Sequence, residues 1–519
     1  MIPAVLAIVA CFTGGWLLQG GFGVAAGIYQ EARLFADVLA HVRDFHVDSL
    51  SEGELYRRAT VGMLKELRDP YAALLTGQDF ERLEERTTGD YAGVGLEVDA
   101  RNGWITVVSA MQATPADRAG IRPGDLLEEV DGQPAAGWTV SRAVEALRGQ
   151  EGTGVDVRFR REGAAVPLHY RLTRERIHQR AVPPGLLLDG GVGYLSMVMV
   201  RENSAEELSQ EVTRLVARGM KALVLDLRSN PGGLRDEAVR AADLFLDARQ
   251  DILVSRGRAP GDNHTWTDVA PQHWRWLPIV VLVNRGTASA AEIIVGSLQD
   301  HDRALVVGDT TYGKGIVQTL FPLGPRTALR ITTARWYTPN GRSIQGALLD
   351  SVMGSEHRVV DVGFRSDAGR VLPGGGGIVP DVILRRDTLS DAEQRFVRAF
   401  EGQVPVFRDI LTAYALELRQ AHRLSAADFV VTAAMRQEIR RRLVARGVSL
   451  PDSTFDAGER IVDEQLGYEI ARYAFGQDAE RLRRVREDGQ VREAMVLLRS
   501  AQSPRALLGM AGPSSSRAH

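Results

Sequence analysis

The sequence predicts a multidomain α/β protein, and three observations predict it. The chain has 519 residues, too many for one ordinary domain. Between residues 193 and 337, largely apolar strand-like runs (Tyr194–Val200, Ala222–Leu227, Ile279–Asn284, Ala304–Val307, Ile331–Tyr337) share the chain with helical ones (Ser204–Ala217, Ala290–Asp300). Apolar strands separated by helices indicate a sheet covered on both faces. Upstream, residues 89–178 hold several short strand-like runs and two short helices, the pattern of a small, partly open β-barrel.

Taken in order, the elements divide the chain as follows. Residues 1–28 form a signal peptide or membrane anchor: Glu31 is the first charged residue. The run Ile2–Ile28 would extend about 40 Å as a helix, enough to span a bilayer. Ile8-Val9-Ala10-Cys11 also has the look of a lipoprotein cleavage box, which leaves lipidation at Cys11 as an alternative. Residues 29–88 read as a helical segment broken at Asp69-Pro70-Tyr71. The small β-rich domain spans 89–178 and the α/β core 179–387. Residues 388–508 form a helical extension with many Arg/Glu pairs and a capping-box spacing at Ser390 and Glu393, readable as a solvated packing or oligomerisation module. Residues 509–519 have the composition of a disordered tail.

Composition narrows the function. With 44% hydrophobic and 25% charged residues the chain is globular. A net charge of −3 implies no basic face for nucleic acid. A single cysteine, Cys11, excludes an intrachain disulfide and a Cys-based zinc site. No metal or cofactor is implied.

The cations are unusual. Of 63 basic residues only Lys65, Lys221 and Lys314 are lysines. An arginine-favouring genome would explain that, but Lys314 lies in the glycine-flanked turn Thr311-Tyr312-Gly313-Lys314-Gly315, 25 residues after Ser289. A lysine can give up its proton in a protein and an arginine cannot. Ser289 falls between an apolar strand and the helix from Ala290, where backbone N–H groups and the helix dipole favour negative charge. An ordinary N-cap serine fits the same place. No Gly-x-Ser-x-Gly elbow points to a histidine base, and His301 reads as a helix C-terminal residue about 18 Å along the helix. To act as base near neutral pH, Lys314 needs its pKa depressed by roughly 3 units from about 10.4, or about 4 kcal/mol. Gln318 could hold the amine without adding charge, or be an exposed strand residue. The run Asp226-Leu227-Arg228-Ser229-Asn230-Pro231-Gly232-Gly233 ends in paired glycines that let backbone N–H groups approach a ligand. Gly232 or Gly233, with the N–H of Ala290, could form an oxyanion hole.

Together, Asp226–Gly233, Val283–Glu292 and Gly308–Gln318 resemble the carboxy-terminal processing peptidases, the tail-specific serine-lysine proteases. Tyr337–Ile344 and Gly377–Asp381 also look like that family, and the likeness covers about residues 30–385. The resemblance implies a crotonase/ClpP-like α/β protease core with an inserted PDZ domain at 89–178. It implies Ser289 as nucleophile, Lys314 as general base, Gln318 as its orienting partner and an oxyanion hole at Gly232, Gly233 and Ala290. It places Gly93, Val94, Gly95 and Leu96 in the carboxylate-binding loop of the PDZ domain, where a peptide C-terminus would add as a strand. Ala291 stands where many relatives have a second serine, and Ser229 replaces a common asparagine. The expected function is a serine endopeptidase acting on exported or membrane proteins with accessible C-terminal tails. Its expected place is the periplasmic or extracytoplasmic face of the inner membrane, with homo-oligomerisation left open. The readings set against it are a catalytically silent PDZ scaffold and a crotonase-like enzyme acting on acyl thioesters.

Overall fold

A computed structural model describes residues 29–161, 163–346, 363–384, 389–501 and 503–511. The apolar run before Ile28, Cys11 and the tail from 512 lie outside the described residues. Among the described residues, no helix is long and apolar enough to cross a membrane. The described residues form two compact units: 29–80 with Gln318–Thr332, and Glu81–Val317 with 333–346 and the described residues from 363 on.

In the first unit a helix over 29–45 is followed by helix Glu52–Glu66, whose N-cap Ser51 accepts from Glu54 N–H. The sequence predicts a helical segment over 29–88, broken at Asp69-Pro70-Tyr71, with no strand in it. Instead, Ala73–Thr76 is a strand, paired antiparallel with residues 327–330. Asp69 holds its entry, its carboxylate accepting Tyr71 N–H and Thr332 N–H, each at 3.0 Å. The pairing partner is more than 250 residues away, so four residues of local pattern could not announce it.

In the second unit the small domain is a sheet in the order Leu96–Arg101, Trp104–Ala110, Leu126–Val130, Gly154–Arg160, Leu168–Thr173. Helices Pro115–Arg118 and Val140–Leu147 accompany it, over a core that includes Ile105, Val107, Leu127, Val155 and Phe159. The chain enters this domain through two strands: Asp90–Gly93 pairs with Glu175–His178, and Leu96–Arg101 begins after a turn at Gly95. The first pair joins the chain's entry to this domain with its exit, as an insertion requires.

The α/β core is a six-stranded sheet in the order Leu186–Leu188, Val192–Ser196, Ala222–Asp226, Ile279–Val283, Leu305–Gly308, Val382–Ile383. Its first pair is antiparallel and the rest parallel. Helices Ser204–Ala217, Arg235–Asp243 and Ala290–Asp300 bury one face through residues such as Leu208, Ala241 and Ile294. The other face, Val192, Val224, Val280, Leu282 and Val307, packs on Val491, Ala494 and Leu498 of helix Gly489–Ser500 and on Leu507. The end of the C-terminal extension is therefore a layer of the core, not a solvated appendage. Its earlier helices, Asp391–Ala399 to Glu459–Ile470, build a separate aromatic-rich cluster around Phe396, Phe400, Phe407 and Phe455. Ser390 and Glu393 make the expected capping box.

Candidate active site

Ser289 stands between strand Ile279–Val283 and helix Ala290–Asp300, with φ 54° and ψ −120°. An ordinary N-cap residue is extended; a non-glycine residue at positive φ is strained and persists only where its neighbours over-determine it. Here they do. Ser289 N–H donates to Glu292 Oε2 at 2.7 Å, and Ser289 O accepts from Glu292 N–H and Ile293 N–H.

Glu292 is the centre of the arrangement. It is fully buried, and four donors converge on its carboxylate: Ser289 N–H at 2.7 Å, Lys314 N–H at 2.9 Å, Gly313 N–H at 2.8 Å and Thr311 Oγ1 at 2.5 Å. Thr311 Oγ1 itself accepts Ile378 N–H, so its hydrogen is directed at Glu292. Burial pushes the Glu292 carboxyl up, and the hydrogen bonds from Thr311, Lys314, Gly313 and Ser289 oppose that. Four donors on two oxygens are what an ionised carboxylate can accept in full. The backbones of Ser289 and Lys314 are thereby tied to one side chain.

The lysine turn is clasped on its other sides. Tyr312 N–H donates to Thr287 O, and Trp336 Nε1 donates to Lys314 O at 3.0 Å. Gly315 N–H donates to Gln345 Oε1, and Gly346 N–H to Gly313 O. Gly313 has φ +82°, and a Cβ there would lie 2.8 Å from Ile344 O and 2.9 Å from Gly377 N. The runs 337–344 and 377–381, which the sequence offered as motifs without a task, thus form the seat of this turn. Gln318 lies in the first unit, in strand Ile316–Gly324, its amide donating to Thr332 Oγ1 at 3.5 Å.

The glycine pair lies against Ser289. A Cβ on Gly232 would sit 2.6 Å from Ala288 O, 2.7 Å from Ala290 N and 2.9 Å from Ser289 Cβ. Gly232 N–H donates to Asn230 Oδ1 at 2.9 Å. That leaves the N–H groups of Gly233 and Ala290 as the donors suited to a developing oxyanion. Val200 N–H to Gly232 O and Leu234 N–H to Val200 O hold the pair from behind. Thr287 Oγ1 to Leu227 O and Ala288 N–H to Asn230 O stitch the glycine loop to the serine loop. His301 is the C-cap of the serine helix and bonds Asp367 and Asp251 O, the structural role expected of it.

These loops lie within the region that comparison with known proteins matches. The family model of peptidase family S41 matches residues 191–351, and that of the PDZ domain residues 106–161. Over 322 residues the chain is 37% identical to the carboxy-terminal-processing protease of Bartonella bacilliformis, covering 61% of this chain and 73% of that protein. The chain belongs to the carboxy-terminal-processing protease family. A probable CtpA-like serine protease of Staphylococcus aureus is 36% identical over 297 residues, 57% of this chain and 59% of its own length. Among solved structures, a photosystem II D1 C-terminal processing protease is similar at 27% identity and a TM-score of 0.36, over 68% of this chain and 87% of that one.

In this member of the family the loop Gly93–Leu96 is shaped by close packing. Gly95 has φ +78°, and a Cβ there would lie 2.3 Å from Thr114 Cβ. Strand Leu96–Arg101 ends its sheet, with helix Val140–Leu147 packed beside it, so among the described residues its outer edge has no strand partner. An unpaired edge is what strand addition by a peptide uses. Two residues carried no role in the sequence reading, Glu292 and Thr311. The Ser-x-x-Glu spacing of a capping box was the available signal for Glu292; no local signal marks Thr311.

Proposed function

We propose that the chain is a serine endopeptidase of the C-terminal processing type. Ser289 is the nucleophile, Lys314 the general base and Gln318 the partner that orients it, with the N–H groups of Ala290 and Gly233 stabilising the tetrahedral oxyanion. The observation that carries this reading is the Glu292 carboxylate, which accepts the N–H groups of both Ser289 and Lys314. In the reaction, the Ser289 hydroxyl passes its proton to the Lys314 amine as Oγ attacks the peptide carbonyl. The amine then protonates the leaving nitrogen, and water resolves the acyl-enzyme by the same base. The lysine must enter this cycle neutral, so no arginine can replace it.

The substrate is a protein whose C-terminal tail the PDZ domain engages at Gly93–Leu96, as an added strand along Leu96–Arg101. Its proposed place is the extracytoplasmic face of the membrane, reached through the apolar N-terminal run. The test is cleavage of a tail-bearing protein by the full chain, by Ser289→Ala and by Lys314→Arg. Both variants should be inactive at every pH tested. A Lys314→Arg protein that cleaves normally would remove the lysine-base mechanism.

A further inference from the structure

The C-terminal extension reaches the glycine loop directly. Arg228 lies four residues before Gly232 and chelates Asp226 through Nε and Nη2, the Nη2–Oδ2 contact being 2.6 Å. Its remaining nitrogen, Nη1, leaves the protease core: it donates to Gln490 Oε1 at 2.7 Å and pairs with Asp488 Oδ2 at 2.9 Å. Both partners are themselves fixed. Asp488 is the N-cap of helix Gly489–Ser500, accepting Val491 N–H, and Gln490 donates to Leu384 O at 2.6 Å. The guanidinium is largely buried, its side chain 17% exposed, and Tyr194 Oη donates to the Asp226 carboxylate from the far side.

We propose that Asp488 and Gln490 are positioning residues for the reaction, acting through Arg228 on the loop that carries Gly232 and Gly233. The inference deepens the Ser289 reading above and rests on it. The physical reason is the geometry of the arginine fork. A planar guanidinium with two occupied edges fixes the orientation of the loop it springs from, whereas one edge alone leaves it free to swing. The residues after Arg228 are bound to the serine loop through Ser229 N–H to Asn284 Oδ1 and Ala288 N–H to Asn230 O. A swing at Arg228 therefore moves the oxyanion donors relative to Ser289. An interaction felt only when the oxyanion forms changes kcat and not KM.

The experiment uses the full chain with Gln490→Met and Asp488→Asn; asparagine keeps the helix cap while removing the charge. Expected is a fall in kcat of at least about tenfold with KM held within about twofold. Faster amide exchange in the segment 227–234 and an unchanged melting temperature should accompany it. In an Arg228→Met background, Gln490→Met should add no further loss, because both act through one contact. Unchanged kcat with unchanged exchange overturns the proposal, as does a kcat loss that follows a drop in melting temperature and KM together. Ser289→Ala is run in parallel. If it still cleaves, the nucleophile assignment fails, while the exchange of 227–234 still decides the Arg228 link.

Discussion

At the scale of the residue, one fully buried carboxylate ties the candidate site together. Glu292 accepts four hydrogen bonds in full burial, and Glu292→Gln replaces one acceptor with an N–H donor facing donors. A buried donor left unsatisfied costs about 1–3 kcal/mol. If that cost falls on the strained Ser289 backbone and the Lys314 turn, the variant should lose about 10- to 100-fold in kcat while remaining folded by circular dichroism. Gly232→Ala is harsher. The new Cβ would lie 2.7 Å from Ala290 N at a backbone φ of +89°. Cleavage should fall below detection, with far-ultraviolet dichroism preserved because the clash is confined to two loops. The sequence made the glycine pair, Ser289 and Lys314 legible because each sits in a short motif after an apolar strand. The Ser-x-x-Glu spacing marks Glu292 only as a cap, because three of its four partners come from a turn about 20 residues further on.

At the scale of the element, much of the α/β core could be read directly: Ala290–Asp300 and Ser204–Ala217 are helices with the bounds their periodicity predicts. Less visible were elements whose reason is tertiary. Asp251–Gly257 and His264–Thr267 pair with each other and the former with residues 334–337, and only the short apolar run Ile252-Leu253-Val254 marks them locally. One such tertiary link is titratable. His178, on strand Glu175–His178, places Nδ1 2.7 Å from Asp90 Oδ1 and Nε2 2.7 Å from Glu207 Oε1 on the helix Ser204–Ala217. Both ring nitrogens face carboxylates, an arrangement that suits the doubly protonated ring. Burial opposes charging, but the hydrogen bonds to Glu207 and Asp90 outweigh it and raise the pKa above 6.5. Arg176 and Arg180 share those two carboxylates at 4.0 and 3.7 Å. A pKa raised on folding stabilises fully below the unfolded value and is lost as pH rises through the folded value. The stability advantage of the parent over His178→Gln should therefore be largest below about pH 6.5 and shrink on the alkaline side, read by chemical denaturation across the range.

At the scale of the molecule, the extension assigned no task by the sequence joins two parts of the second unit. One end meets the PDZ sheet: Asn102 N–H donates to Asp409 Oδ2 at 3.0 Å, Arg408 pairs with Asp99, and Gln477 Nε2 donates to Glu97 Oε2 at 2.5 Å. The other end roofs the protease sheet through Val491, Ala494 and Leu498. Its helices were legible as helices but not as a roof, because an apolar stripe of this length does not name the face it covers. Removing it should therefore do more than shorten the protein. Ending the chain before Gln477 would uncover Val192, Val224, Val280, Leu282 and Val307, a row of strand residues that is fully or almost fully buried in the intact chain. A contiguous apolar sheet face of this kind drives association. The truncated protein should be insoluble or bind a hydrophobic dye strongly, and should lose cleavage with it. Leu498→Ala separates the packing contribution from the loss of the whole segment: a buried leucine cut to alanine costs about 2–5 kcal/mol, so the full-length variant should stay soluble and melt several degrees lower. A truncated chain that melts and cleaves like the parent would mean that helix Gly489–Ser500 does not cover the sheet in solution.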